Sequence, residues 1–380
     1  RQAANPVGLG VLVSLDPVTR PWQPAITKSR HRTQAPNGRK KVMQYRRLGA
    51  SGLTVSPICL GTMMFGGRAD EATSKRIIAS ARDAGVNFID CADGYAKGES
   101  EKIAGRAIKR RRHDWVLATK VGNPMGPGAG PNEKGLGAKH IHQSIDGSLK
   151  RLSTDFVDIY YFHLDDLDTP LEESIQAVAD VVAQGKARYW GISNYSGWRI
   201  AALCGLAQAM GAPLPVVCQP YYNAMNRMPE TDVLPACEYF GLGVVPYSPL
   251  ARGVLTGKYK LSKKPEKGTR AGRGDKRMLS TEFRKESLKM AQTIKKHAEK
   301  RGMTAGQFAF NWVLNNQLVT SVLAGPRTMG QWKEYLGAIK HEFTVEDEDL
   351  IDGLVPSGHP STPGYSDPKY PYAGRQPWTG

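Results

Sequence analysis

From residue 43 onward, the hydrophobic positions follow two alternating rhythms. Short apolar runs rich in β-branched and aromatic residues read as buried strands: ICLGTM (58–63), NFIDCAD (87–93), WVLATKV (115–121), FVDIYYFH (156–163), ARYWGIS (187–193), VVCQPYY (216–222), GVVPYSP (243–249) and VTSVLAG (319–325). The stretches between them, such as 71–84, 139–152, 171–184, 197–210 and 284–300, have helical patterning. Ile145, Leu149 and Leu152, for example, recur at spacings of four and three and share one helix face. Ahead of the first strand, YRRLGASGLTVSPI (45–58) places Gly-containing turn residues between two extended runs, which predicts a short hairpin. Eight strand-like runs separated by helices predict an α/β fold, a closed (β/α)8 TIM barrel of parallel strands. The rival is an open doubly wound sheet. Binding a dinucleotide, it would carry G-x-G-x-x-G after its first strand, and that pattern is absent from the sequence. GPGAGPNEKG (126–135) lacks the spacing, and GVLTGKY (253–259) lacks both the spacing of a phosphate loop and a Ser or Thr after Lys258.

Two segments interrupt the alternation. Residues 122–137 are rich in Gly and Pro, and residues 250–283 form a long basic stretch. Both follow strands, so both are expected to project from the C-terminal face of the barrel, where sites in this architecture form. Residues 43–355 are assigned to the barrel. Residues 1–42, rich in Pro, Arg and Gln, lack sustained periodicity and read as a disordered arm or an upstream extension. Their Arg content faintly resembles a transit peptide, but no amphipathic face accompanies it. The Pro/Gly/Tyr-rich tail, 356–380, is open to two readings, a cover over the active site or a disordered end. Packing is favoured because its aromatics would otherwise be exposed.

Composition narrows the function classes. The 380 residues are 40% hydrophobic and 23% charged, enough apolar material for one large core. No run is long and uncharged enough for a membrane helix, so no membrane partner is expected. Five cysteines without a C-x-x-C spacing point to a reducing, cytoplasmic setting. The net charge of +17 is unevenly spread: residues 1–42 have eight basic residues against the single Asp16, a net of +7, leaving +10 for the remaining 338. The densest cluster, Lys109 to Arg112, sits at a predicted helix end, where cations favour the macrodipole and a solvated end suffices to explain them. Without aromatic interleaving or a binding module, no nucleic-acid partner is expected. An anionic cofactor or substrate would use part of the charge. His140 and His142 are two apart near a helix start and face apart, so no metal site is expected. Asp165, Asp166 and Asp168 read as solvated loop residues, with Asp165 in reach of a polar substrate. Phe65, Leu164, residues 122–137 and the tail are the expected pocket walls.

Four polar residues stand at or just after the ends of successive strand-like runs: Asp90, Tyr95, Lys120 and His163. In a parallel barrel all four point into one mouth. A phenol with a pKa of about 10 is a weak acid at neutral pH, and a nearby ammonium lowers that pKa. Asp90 would hold Lys120 in place and charged. An imidazole beside the phenol can orient a carbonyl oxygen. The set is suited to protonating a carbonyl oxygen while a hydride reaches the carbon.

These residues and their order resemble the catalytic tetrad of the aldo-keto reductase superfamily, and the likeness runs from about Tyr45 to about Pro356. The resemblance implies a (β/α)8 barrel with NADP(H) extended across its mouth, no metal, and a small-molecule aldehyde or ketone as substrate. It implies roles at further positions. GTMMFGG (61–67) resembles the loop after the first strand, with Gly61, Thr62 and Met63 near the nicotinamide. Asp90 also faces the cofactor, Ser193, Asn194 and Gln219 match the carboxamide contacts, and Tyr247 matches the stacking aromatic. Ser248, Leu250, Arg252 and Gly253 match a segment around the pyrophosphate. Gly325, Arg327, Gln331 and Glu334 match the holder of the adenosine 2′-phosphate, while Tyr335 stands where the family commonly has Asn. Arg327 suits a phosphomonoester, which favours NADPH. The implied activity is NADPH-dependent carbonyl reduction with Tyr95 as proton donor. The alternative is a weakly catalytic NADPH-binding partner protein resembling potassium-channel β subunits. Oligomeric state is not legible.

Overall fold

The computed structural model describes residues 43–370, so the expectations for residues 1–42 and for the tail beyond Tyr370 lie outside the described residues. A small hairpin comes first, β1 (Arg46–Arg47) pairing antiparallel with β2 (Thr54–Val55). Its turn uses Gly49 at φ +55°, where a Cβ would come within 2.4 Å of the Gly241 carbonyl oxygen. Only glycine tolerates both the left-handed backbone and that approach. The hairpin thereby seats Leu48 and Val55 against Cys59, Phe88, Val116, Ile159 and Val217, the apolar filling of the barrel interior.

Eight strands follow: β3 (Ile58–Gly61), β4 (Phe88–Asp90), β5 (Val116–Val121), β6 (Val157–Phe162), β7 (Ala187–Ser193), β8 (Val217–Gln219), β9 (Gly243–Val244) and β10 (Val322–Ala324). They lie in the order β10-β3-β4-β5-β6-β7-β8-β9, every neighbouring pair parallel. The circle closes through a parallel bridge between Val244 and Val319. There the Thr320 amide donates to the Val244 carbonyl at 2.8 Å, and the Leu323 amide donates to that of Pro246 at 3.0 Å. The expected (β/α)8 barrel is the observed architecture. Several strands are shorter than their apolar runs. GVVPYSP contributes only Gly243–Val244, and Pro246, which has no N–H, cannot extend the ladder as a donor.

The helices are α1 (Glu71–Asp83), α2 (Glu99–Ile108), α3 (Ala138–Leu152), α4 (Leu171–Ala183), α5 (Gly197–Ala209), α6 (Val233–Phe240), α7 (Lys276–Thr281), α8 (Lys285–Lys300), α9 (Ala305–Asn315), α10 (Met329–Ala338) and α11 (Val345–Leu354). Their apolar faces and the outward faces of the strands form the larger core. Helix α9 escaped the periodicity reading because nine of its eleven residues are buried, which leaves no polar face to mark the period. Its start is fixed by a capping box between Thr304 and Gln307. The basic stretch 250–283 is more ordered than a plain loop, containing the 3-10 turns Ala251–Gly253 and Ala271–Arg273 as well as α7.

The charge cluster at the end of α2 also differs from a simple solvated end. Arg112 donates to Asp158 at 2.8 Å and to the carbonyls of Trp115 and Phe156 at 3.0 Å each, and lies 4.3 Å from the Phe156 ring centroid. It clasps the start of β5 to that of β6. No helix among the described residues is long and apolar enough to cross a membrane.

Candidate active site

Strand register brings the polar residues to one level. Gly61 pairs with Asp90, Lys120 with Tyr161, and Ser193 with Gln219, each at or near the C-terminal end of its strand. Asp90 and Lys120 are completely buried. An unpaired charge there would be costly, and none is left unpaired. The Lys120 ammonium forms an ion pair with Asp90 Oδ1 and donates to the Cys91 carbonyl at 2.6 Å and to the Tyr95 hydroxyl at 3.3 Å. The second oxygen, Asp90 Oδ2, accepts from Gln219 Nε2 at 2.9 Å. All three ammonium protons thus have acceptors, and the lysine stands between carboxylate and phenol.

Tyr95 opens the 3-10 turn Tyr95–Gly98, in which Ala96 and Lys97 adopt left-handed φ values of +48° and +56°. Two consecutive non-glycine residues in that region carry strain, held here by the surrounding fold. The ring of His163, the residue after β6, lies 5.8 Å from that of Tyr95 at an interplanar angle of 77°. His163 Nδ1 is buried without a partner among the described residues.

The electrostatics correct one expectation. Lys120 does pull the Tyr95 phenol toward ionisation, but burial is the larger effect and Asp90 adds to it, so the phenol is pushed above its ordinary value. Burial would lower Lys120, yet Asp90 and Tyr95 together raise it, so it stays charged. His163 is held well below its ordinary value by burial, then by the cations of Lys120 and Lys369. At neutral pH the site therefore presents a protonated phenol and a neutral imidazole beside the Lys120–Asp90 ion pair.

These groups face a cavity of about 550 Å³, within the range of cofactor and ligand sites. Asp90, Tyr95 and His163 line it, and Lys120 stands one layer behind. Gly61, Met63, Ser193, Asn194, Gln219 and Tyr247 also reach it. Thr62 does not. It is fully buried, its hydroxyl donating to the Asp90 carbonyl at 3.0 Å and accepting from Ser100 at 2.7 Å. It supports the Asp90 backbone from behind. Asn194, at φ +65°, ties three strand ends together. Its amide donates to the His163 carbonyl at 2.8 Å and to Ser193 Oγ at 3.0 Å, and its oxygen accepts from the Tyr247 hydroxyl at 2.7 Å.

The cavity continues to Ser248, Leu250, Arg252 and Gly253, and then to Gly325, Arg327, Gln331 and Glu334. Gln331 accepts from the Arg327 amide at 2.9 Å, Glu334 from the Thr304 hydroxyl at 2.7 Å, and Tyr335 packs its ring 5.3 Å from that of Phe310. Eight lysines and arginines stand in the wall. Arg68, Lys258, Arg270, Arg273, Arg277 and Lys369 among them went unread as site residues, although the basic composition of 250–283 carried a signal for four of the six. The expected walls are partly corrected. Asn123 and Pro124 line the cavity, as do Lys369 and Tyr370 of the tail, but Phe65 is fully buried in the core and Leu164 is absent from the lining. Asp165 is occupied by Arg199 at 2.9 Å, away from the cavity.

An extended anionic dinucleotide suits this trench: Asp90, Tyr95 and His163 line one end, and eight lysines and arginines stand in the wall. Similarity to known proteins agrees with the geometry. The rice (Oryza sativa subsp. japonica) "Probable voltage-gated potassium channel subunit beta" is 38% identical over 330 residues, covering 85% of this chain and 100% of that protein. An Arabidopsis thaliana protein of the same name is 39% identical over 302 residues, covering 78% and 91%. The "Uncharacterized oxidoreductase YrpG" of Bacillus subtilis (strain 168) is 37% identical over 331 residues, covering 84% and 98%. Residues 57–356 match the Aldo/keto reductase family over most of the barrel, and the chain belongs to that family.

Proposed function

We propose that this protein is an NADP(H)-dependent carbonyl reductase that converts aldehydes or ketones to alcohols, with Tyr95 as the proton donor. The observation that carries the proposal is the Lys120 ammonium, buried and hydrogen-bonded between Asp90 and Tyr95 beside a cationic trench. The nicotinamide, when bound, supplies the hydride. Ser193, Asn194, Gln219 and Tyr247 stand where the nicotinamide end would be held, and Arg327, Gln331 and Glu334 where the adenosine end would be.

Burial keeps the Tyr95 phenol protonated at neutral pH, so the proton is in place before reaction. As it leaves for the carbonyl oxygen, negative charge grows on the phenol oxygen, 3.3 Å from the Lys120 nitrogen. A preorganised ammonium in a dry site stabilises that charge more than it stabilises the neutral phenol. Asp90 and Gln219 fix the ammonium. Neutral His163 can hydrogen-bond the carbonyl oxygen without adding a second cation beside Lys120. The five cysteines are free and buried, which supports the cytoplasmic assignment.

The names of the rice and Arabidopsis relatives favour a second reading, a cofactor-binding partner protein with weak turnover. Mixing the protein with NADPH and a panel of aldehydes, and following cofactor absorbance, separates the two. The reductase reading expects substrate-dependent oxidation at about 1 s⁻¹ or faster for at least one aldehyde. Uniformly slow oxidation with every carbonyl would favour the partner protein.

A further inference from the structure

The segment after α11 returns over the C-terminal face of the barrel along a series of fixed contacts. The Arg227 amide donates to the His359 carbonyl at 3.0 Å, and the Ser361 amide to that of Met225 at 2.9 Å. Arg284 donates to Thr362 Oγ1 at 2.7 Å and stacks 3.7 Å from the centroid of Tyr365. Asp367 is then gripped at both oxygens by Arg277 and accepts from the Lys369 amide at 2.9 Å. This turn sets Lys369 and Tyr370 in the cavity wall that also holds Tyr95 and His163.

Among the described residues, four of the eight cations in the wall, Lys258, Arg273, Arg327 and Lys369, have no carboxylate partner, and the other four do. Arg252 is paired with Glu282, Arg277 with Asp367, and both Arg68 and Arg270 lie within 4.0 Å of Asp275. Lys369 has no carboxylate partner among the described residues, although Asp367 is two positions away, because Arg277 occupies both oxygens. Lys369 lines the same cavity as Tyr95 and His163, and after burial and Lys120 its charge adds to the lowering of the His163 imidazole. The charged groups that act on it are Arg277, Asp367 and Arg252, and with Asp367 paired to Arg277 the balance is positive. An anion arriving there meets an uncompensated ammonium in the cavity that also holds Tyr95 and His163.

We propose that Lys369 makes this site selective for carbonyl compounds that also bear a carboxylate, the ammonium binding the carboxylate while Tyr95 and His163 engage the carbonyl. The proposal rests on the reductase reading above, and its test separates the two. The probes are 4-carboxybenzaldehyde and its neutral analogue, methyl 4-formylbenzoate, assayed with NADPH on the wild type, Lys369→Met and Lys369→Arg. The acid-to-ester ratio of kcat/KM is expected to fall about tenfold in Lys369→Met, chiefly through KM for the acid, which is the scale of one charge-assisted hydrogen bond. Lys369→Arg is expected to retain most of the ratio.

A binding measurement accompanies the kinetics: 4-(hydroxymethyl)benzoate titrated onto NADPH-loaded protein should bind about tenfold more weakly to Lys369→Met. An unchanged ratio with unchanged binding overturns the proposal. So does an equal weakening of NADPH itself, which would make Lys369 a partner of the cofactor phosphates. If the wild type turns over neither aldehyde, the reductase reading fails, and the titration alone still decides whether Lys369 binds a carboxylate.

Discussion

The two ends of the trench are built on different principles. At the catalytic end, side chains leave strand termini and are locked by one another: Asp90 to Lys120 and Gln219, Lys120 to Tyr95, Asn194 to His163 and Tyr247. That end is dry, and a single removal leaves a buried charge exposed to the apolar core. At the far end, charge is carried by the segment 250–283 and by Arg327, on long side chains, several of them paired with single carboxylates. The first end is arranged for chemistry, where small displacements cost rate. The second is arranged for adhesion to an anion, where the sum of several cations matters more than any one position.

Breaking the catalytic end should have the largest effect. Lys120→Met leaves Asp90 buried with only Gln219 for company. Thermal or denaturant unfolding is expected to show a loss of about 3–5 kcal/mol, the cost of stranding one partner of a buried pair. Adding Asp90→Asn should recover most of that stability without recovering turnover. Full stability in the single variant would show that water reaches Asp90 and that the site is not dry.

A second, smaller effect tests the wall behind the catalytic turn. Asp93 is buried, accepts from Ser144 at 2.8 Å and from the Gly94 amide at 2.6 Å, and is pushed up to about 7, chiefly by burial. A carboxyl raised in the folded state binds its proton more tightly there than when unfolded. Its contribution to stability is therefore complete below about pH 4, falls as pH rises, and is lost above about pH 7. Asp93→Asn removes this dependence. The stability of the variant relative to wild type should rise by about 3 kcal/mol between pH 4 and pH 7.5. A constant difference across that range would mean that Asp93 titrates normally.

At the far end, Arg327→Ser should weaken NADPH binding about tenfold while leaving NADH within about twofold, as expected for a single charge-assisted contact to a phosphomonoester. Equal loss for both would move Arg327 away from the 2′-phosphate. A loss of several hundredfold would break the comparison itself, since the far end would then depend on one residue as the catalytic end does.

The same contrast explains what was legible in the sequence. Asp90, Lys120, Ser193 and Gln219 lie on strands, where alternation and register fix the direction of each side chain, so reading the strands located the residues. Thr62 shows the limit: it follows its strand directly, but the chain turns it inward to Ser100 and the Asp90 carbonyl, and no pattern of types predicts that. Arg68 and Lys369 sit in loops and Arg277 in the six-residue helix α7, too short to show a period, and their place in the wall depends on distant contacts such as that of Arg277 to Asp367, 90 residues away. The sign of the Tyr95 shift is not legible in the sequence for a related reason. The types of its neighbours are visible in sequence, but the depth of burial that outweighs Lys120 is not.

The central claim is that Tyr95 donates the proton and does little to hold the cofactor. The direct measurement is Tyr95→Phe, with turnover and NADPH affinity determined on the same preparation. The account predicts a fall in kcat of about 10²–10⁴, the range for removing a general acid, with the dissociation constant of NADPH changed by less than about threefold. Turnover near the wild-type rate, or a loss explained by weaker NADPH binding, would contradict it.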